Sequence, residues 1–245
     1  MDTATPQEIA AALVASDFPE CCAALLAGSV VRQQATPTSD LDIVVVRPQG
    51  EVFRASRIHS DWPVELFVHT PHSLESFWAQ DMARRRPSLV QMCAEGQILT
   101  HPKTVAEQIQ QRAKDLLAQG PPALSPEERE QWRYQLTDLR DDLIGAQDRR
   151  EMLAIAPLVI EKSVALWLAH HRHWLGQGKW LHRALQAPFP EQAQTLFAAQ
   201  EAIFQHNHKA PLLAWANEAL DVAGGPLFAG YLSVAPSPPL DQQHR

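Results

Sequence analysis

Residues 27–46 read Ala-Gly-Ser-Val-Val-Arg-Gln-Gln-Ala-Thr-Pro-Thr-Ser-Asp-Leu-Asp-Ile-Val-Val-Val. A Gly-Ser pair opens the stretch, a polar loop follows, and Asp40-Leu-Asp42 leads into four β-branched residues. Ile43 to Val46 reads as a buried strand. Residues two apart on a strand point to the same side, so Asp40 and Asp42 project together from its start. Two carboxylates on one face repel each other unless a positive charge lies between them. A hard divalent cation with oxygen ligands, Mg2+ in particular, answers that need. Upstream, Gly28-Ser29 can bring backbone N–H groups and a hydroxyl close to a phosphate, as glycine-containing phosphate loops do. Metal and phosphate positions then lie one short loop apart, a layout suited to nucleotide chemistry.

The Gly28-Ser29 pair, the loop and Ser39-Asp40-Leu41-Asp42 resemble the signature of the DNA polymerase beta-type nucleotidyltransferase superfamily. That resemblance implies a third carboxylate on a following strand, between apolar residues. Pro63-Val-Glu-Leu-Phe-Val-His69 supplies it as Glu65. By the same resemblance Asp40 and Asp42 bind metal, and Glu65 binds the metal nearer the acceptor, takes the hydroxyl proton, or both. Ser29 and Ser39 are expected to hydrogen-bond phosphate oxygens, and Gly28 to let the backbone approach. The cofactor implied is Mg2+, with ATP or another nucleoside triphosphate as co-substrate. The implied reaction moves a nucleoside monophosphate, AMP from ATP, to a hydroxyl of a small acceptor, with aminoglycoside-type antibiotics as the best-known acceptor class. Two alternatives stand beside it: nucleotidylation of a protein or tRNA, and a nucleotide-binding relative without catalysis. All three carboxylates are present, which disfavours the last. An Arg-to-His spacing of the kind found in ribonuclease helical domains occurs only at Arg54 to His59, outside the helical part.

The 245-residue chain suits one large or two small domains. A net charge of −7 and the lack of a basic stretch along the chain disfavour duplex nucleic acid as a partner. Three cysteines, Cys21, Cys22 and Cys93, are too few and wrongly spaced for a disulfide framework or a Cys-based zinc site. Cys21 and Cys22 are expected as buried strand residues. No apolar run is expected to reach the length of a membrane span, the N-terminus carries no basic-then-apolar signal, and a cytoplasmic location is the simplest.

The expected fold class is α+β: an N-terminal mixed sheet flanked by helices over residues 1–120, then a helical bundle over 125–235. A polar, Pro-rich tail at 236–245 reads as disordered. Helices are expected at Pro6 to Ala15, Pro71 to Arg85 and Thr104 to Gln119, and strands at Cys21 to Ala27, Glu51 to Ile58 and Val64 to His69. Ser60-Asp61 reads as a turn. Gly120-Pro121-Pro122 marks the boundary, and Ser125-Pro-Glu-Glu128 opens the next helix with a capping box. Trp132, Leu136, Leu139 and Leu143 form its apolar stripe. The helical part resembles that of small-molecule nucleotidyltransferases, which implies a domain that closes over nucleotide and acceptor.

Several polar clusters have simpler readings. Arg84-Arg85-Arg86 suits a helix C-terminus better than a phosphate clamp. His170, His171 and His173 suit a polar helix end better than a zinc site, and His206 and His208 likewise. Asp138, Asp141 and Asp142 suit a solvated helix face. Lys179 is different. It follows Gly176-Gln-Gly178 and starts a helix, where a cation opposes the macrodipole. An anion nearby would account for it, and the resemblance places such a Lys near the triphosphate.

Overall fold

The computed structural model describes residues 4–233; the tail expected at 236–245 lies outside them. The chain divides into two compact units after Pro122. The fold is α+β, a five-stranded mixed sheet with flanking helices followed by a helical region.

The first unit begins with α1 (Pro6–Asp17), whose Thr5 and Glu8 form a capping box ahead of Pro6. Then come β1 (Ala23–Ala27), the single turn α2 (Gly28–Val31), β2 (Leu41–Val46), β3 (Phe53–His59) and β4 (Trp62–His69). Helices α3 (Pro71–Arg84) and α4 (Ser88–Glu95), the short β5 (Gln97–Ile98) and α5 (Thr104–Gln119) complete it. The strand order is β3-β4-β2-β1-β5. β2 runs parallel to β4, and every other pairing is antiparallel.

Alternation along β2 and β4 sorts the side chains onto two faces. Leu41, Ile43, Val45, Val64, Leu66 and Val68 pack with α1. Val44, Val46 and Phe67 pack with α3, α4 and α5 around Trp78. Both faces of β2 are therefore covered, which explains its unbroken β-branched run. Asp42 and Glu65 share the face of Val44 and Phe67 but stand nearer the N-terminal ends of their strands.

Cys21 and Cys22 differ from expectation. They precede β1 and are half-buried, and the Cys22 thiol donates to the Val46 carbonyl at 3.2 Å. β4 starts two residues earlier than its apolar run, because the Ser60-Asp61 turn ties Trp62 to His59. Pro63 fits there because the ladder to β2 starts one residue later, at Val64.

The Arg84–Arg86 run ends α3. Arg85 caps the helix in the left-handed region (φ 58°), is buried, and donates through Nε to the Pro122 carbonyl at 3.0 Å. Arg84 pairs with Asp81. Asp81 is 1% exposed and accepts from the Leu89 and Val90 amides at 2.6 and 3.1 Å. α4 has no side-chain cap at Pro87, so a carboxylate from the preceding helix satisfies its first amides.

The second unit holds α6 (Pro126–Gly145), α7 (Arg149–His170), α8 (Lys179–Gln186), α9 (Pro190–His206) and α10 (Ala210–Ala223). Ser125 and Glu128 cap α6, and Leu136 and Leu143 are fully buried while Trp132 and Leu139 pack at the core's margin. α7 is the central element, with Val159, Val164, Leu166 and Leu168 in the core. One expectation fails here: at 22 residues and a mean hydropathy of 1.7, α7 is long and apolar enough to cross a membrane. More than half of that stretch is buried inside the unit, which accounts for its composition.

Replacing Asp81 by Ala should lower stability by about 2–4 kcal/mol, because two buried amides and a paired cation lose their acceptor. Urea unfolding monitored by Trp fluorescence checks this; a loss below about 0.5 kcal/mol would mean that α4 needs no such cap.

Candidate functional site

Three strand ends meet at one edge of the sheet. Parallel pairing sets Asp42 of β2 directly beside Glu65 of β4. Antiparallel pairing sets Ala27, the last residue of β1, beside Asp42 from the other side. Gly28 follows Ala27 at once. Asp40 lies one residue before β2, on the same side as Asp42. One carboxylate oxygen from each of Asp40, Asp42 and Glu65 lies within 4.8 Å of the others. Among the described residues, this is the one group of three or more His, Cys, Asp or Glu side chains that could hold a metal ion.

Gly28 is required by that arrangement. Its φ is +82°, and a Cβ there would stand 2.1 Å from Asp42 Oδ2. The backbone thus approaches the carboxylate more closely than any other residue allows. Ser29 and Ser39 also come together, Ser29 Oγ donating to Ser39 Oγ at 2.8 Å while Ser39 Oγ accepts the Thr36 amide at 2.9 Å. The two hydroxyls expected at a phosphate therefore close the loop between Gly28 and Asp40; Ser29 must release Ser39 to donate to a ligand, whereas Ser39 accepts in both bonds.

The charges do not balance on their own. Asp42 is pushed up to about 6, first by burial, then by the Asp40 and Glu65 charges; Arg32 and Arg54 act in the opposite direction. Arg32 forms an ion pair with Glu95 at 3.2 Å. Arg54 Nη2 lies 2.6 Å from Glu65 Oε1, and the Ser56 hydroxyl donates to the same oxygen at 3.2 Å. The Arg54 guanidinium sits over the Phe67 ring at 5.0 Å. A row runs across three strands, Ser56–Glu65–Asp42, with Arg54 two residues along from Ser56 on the same face.

The donor set fits a hard divalent cation: three carboxylates, close enough to share one ion, and a protonation state displaced by their crowding. Arg54 and Ser56 were missed by sequence reasoning, yet a signal existed. Ser60 and Asp61 both have positive φ, 48° and 64°, and form a two-residue hairpin turn. Such a turn fixes the register, which sets Ser56 opposite Glu65.

No protein-family model matches the chain, and no curated protein matches it. Among solved structures, the chain is similar to a nucleotidyltransferase-like protein from Exiguobacterium sibiricum 255-15. The identity is 12% and the TM-score 0.46, with 89% of this chain and 75% of that one covered.

Lys179 is the first residue of α8 in the second unit, exposed, after Gly178 with φ +55°. It adds positive charge against the helix dipole, as its sequence position implies. The histidines take the simpler reading. His171 Nδ1 lies 2.8 Å from the Trp167 carbonyl, and the rings of His171 and His173 pack on Phe189. Asp138, Asp141 and Asp142 are exposed, and Asp141 is held by neighbouring Arg140 at 2.7 Å.

Two outcomes follow from the crowding. The folded chain holds a proton on Asp42 up to about pH 6, whereas the unfolded chain releases it near pH 3.8. The native state therefore binds more protons between these values, and its stability falls as pH rises through that window. Asp42→Asn removes this penalty. In metal-free buffer the variant should gain on the order of 1–3 kcal/mol over wild type at pH 8, and nothing near pH 3.5. Thermal melts across that range check it; a gain independent of pH would refute the upward push that burial and the neighbouring carboxylates give Asp42. Gly28→Ala should lose stability at every pH, because strain and the clash with Asp42 act together.

Proposed function

We propose that the chain is a Mg2+-dependent nucleotidyltransferase that transfers a nucleoside monophosphate, AMP from ATP, to a hydroxyl of a small molecule. The observation that carries this reading is the convergence of Asp40, Asp42 and Glu65 within 4.8 Å, beside a glycine that leaves no room for a Cβ. Asp40 and Asp42 would hold the cation, with Glu65 as a third ligand. Bound there, Mg2+ would supply charge neutralisation at the triphosphate and at the entering and leaving oxygens of an in-line displacement.

The chain's own residues divide the remaining work. Gly28 admits phosphate oxygens close to the backbone. Ser29 exchanges its bond to Ser39 for one to phosphate, and Ser39 donates its own hydroxyl proton. Glu65 lies on the β3 side of Asp42, away from the Gly28 loop. The hydroxyl acceptor belongs on that side, where Glu65 can take its proton. An aminoglycoside-type antibiotic is the acceptor class proposed first, on the resemblance of the helical part to small-molecule nucleotidyltransferases.

The test is transfer of label from ATP, with Mg2+, to a panel of aminoglycosides, lincosamides, tRNA and proteins. Label on a small hydroxylated acceptor is expected; label confined to tRNA or protein would overturn the small-molecule assignment. Asp40→Asn or Asp42→Asn should abolish transfer without unfolding the chain. Glu65→Gln should slow it by at least ~10²-fold. Wild-type rates in either Asp variant would remove the metal assignment.

A further inference from the structure

Arg54 lies outside the metal and phosphate roles above, yet it makes an ion-pair contact to a member of the acidic cluster, 2.6 Å from Glu65 Oε1. Ser56 donates to the same oxygen. The Arg54 side chain is 64% exposed, whereas that of Glu65 is 19% exposed. One partner is therefore free to leave toward solvent and the other is fixed in the sheet. β3 is an edge strand, and besides Glu65 the Arg54 guanidinium has the Phe67 ring beneath it. The Arg54 charge reaches further than Glu65, since it also acts on Asp42 against the push of the two neighbouring carboxylates. Arg32 acts on Asp42 in the same sense while paired to Glu95.

We propose that Arg54 is a resident counter-ion of the acidic cluster: it holds Glu65 when no divalent cation is bound and must give that carboxylate up when one binds. This rests on the metal assignment made for Asp40, Asp42 and Glu65. A monovalent guanidinium on Glu65 Oε1 and a divalent cation in the cluster compete for the charge of one carboxylate, and an exposed ion pair is the weaker holder. Arg54 thus positions Glu65 before the cation arrives and lowers the cluster's apparent affinity for it. Its flexible side chain then swings toward solvent on the β3 side, where it adds positive charge beside the acceptor position.

Calorimetric titration with Mn2+ tests this in wild type, Arg54→Gln, Arg54→Lys and Asp42→Asn, at low ionic strength. Arg54→Gln should bind Mn2+ roughly 3–10-fold more tightly, the scale expected for losing one partly screened positive charge at contact distance. Arg54→Lys should stay within about twofold of wild type, because it restores the charge. Without metal, Arg54→Gln should melt below wild type, and saturating Mn2+ should close the gap. Equal or weaker Mn2+ binding in Arg54→Gln, with wild type still binding through Asp42, would overturn the counter-ion role alone. Wild type binding no more tightly than Asp42→Asn would overturn the metal assignment as well.

Discussion

The in-register parallel pairing of β2 with β4 is the constraint on which the first unit depends. It sets Asp42 beside Glu65 through backbone hydrogen bonds, and those bonds do not relax when the side chains repel. A one-residue slip of β4 against β2 would turn Glu65 to the face of α1 and take Phe67 with it, away from the helices that it packs against. Burial on two faces therefore locks the register, and the register holds like charges together. Gly28 closes the same trap from β1, because its backbone presses on Asp42 where no side chain fits.

A fold that forces carboxylates together carries a stability cost, and the chain shows how it is met. Asp42 keeps its proton up to about pH 6. Arg54 reaches in from the edge strand, and the field of Arg32 adds to it. The apolar bulk lies elsewhere: the two clusters on either face of the sheet contain Ile43, Val45, Leu66, Val44 and Trp78, all essentially inaccessible to water. Strain concentrated at one edge and supported by a well-packed interior is the usual signature of a site built for a ligand rather than for stability.

Much of this was legible in the order of residues, for local reasons. The capping box at Ser125/Glu128 needs only four residues, and the strand after Asp42 only its own run of β-branched residues. Asp40 and Asp42 were legible from their spacing at the start of one strand, and Glu65 because the resemblance called for a third carboxylate. What escaped reading depends on distant partners. Arg54 became part of the site only through the β3–β4 register, although the Ser60-Asp61 turn held that information. Asp81 sits in a helix whose own residues do not reveal its role; the amides that it accepts from belong to the next helix. Cys22 stops short of β1 at the margin of the core, where its thiol donates to the Val46 carbonyl. α7 is apolar enough to span a membrane because it is the central helix of its unit, a fact about neighbours that composition does not carry.

The central claim is that Asp40, Asp42 and Glu65 form one cation site. Its most direct measurement is an anomalous-scattering crystal structure of the chain grown with Mn2+ and a non-hydrolysable ATP analogue. The account predicts an anomalous peak within coordination distance of all three carboxylates, with Arg54 displaced from Glu65 and the analogue's phosphates against Gly28 and Ser29. A structure with the analogue and Mn2+ bound elsewhere, and with Arg54 still on Glu65, would contradict it.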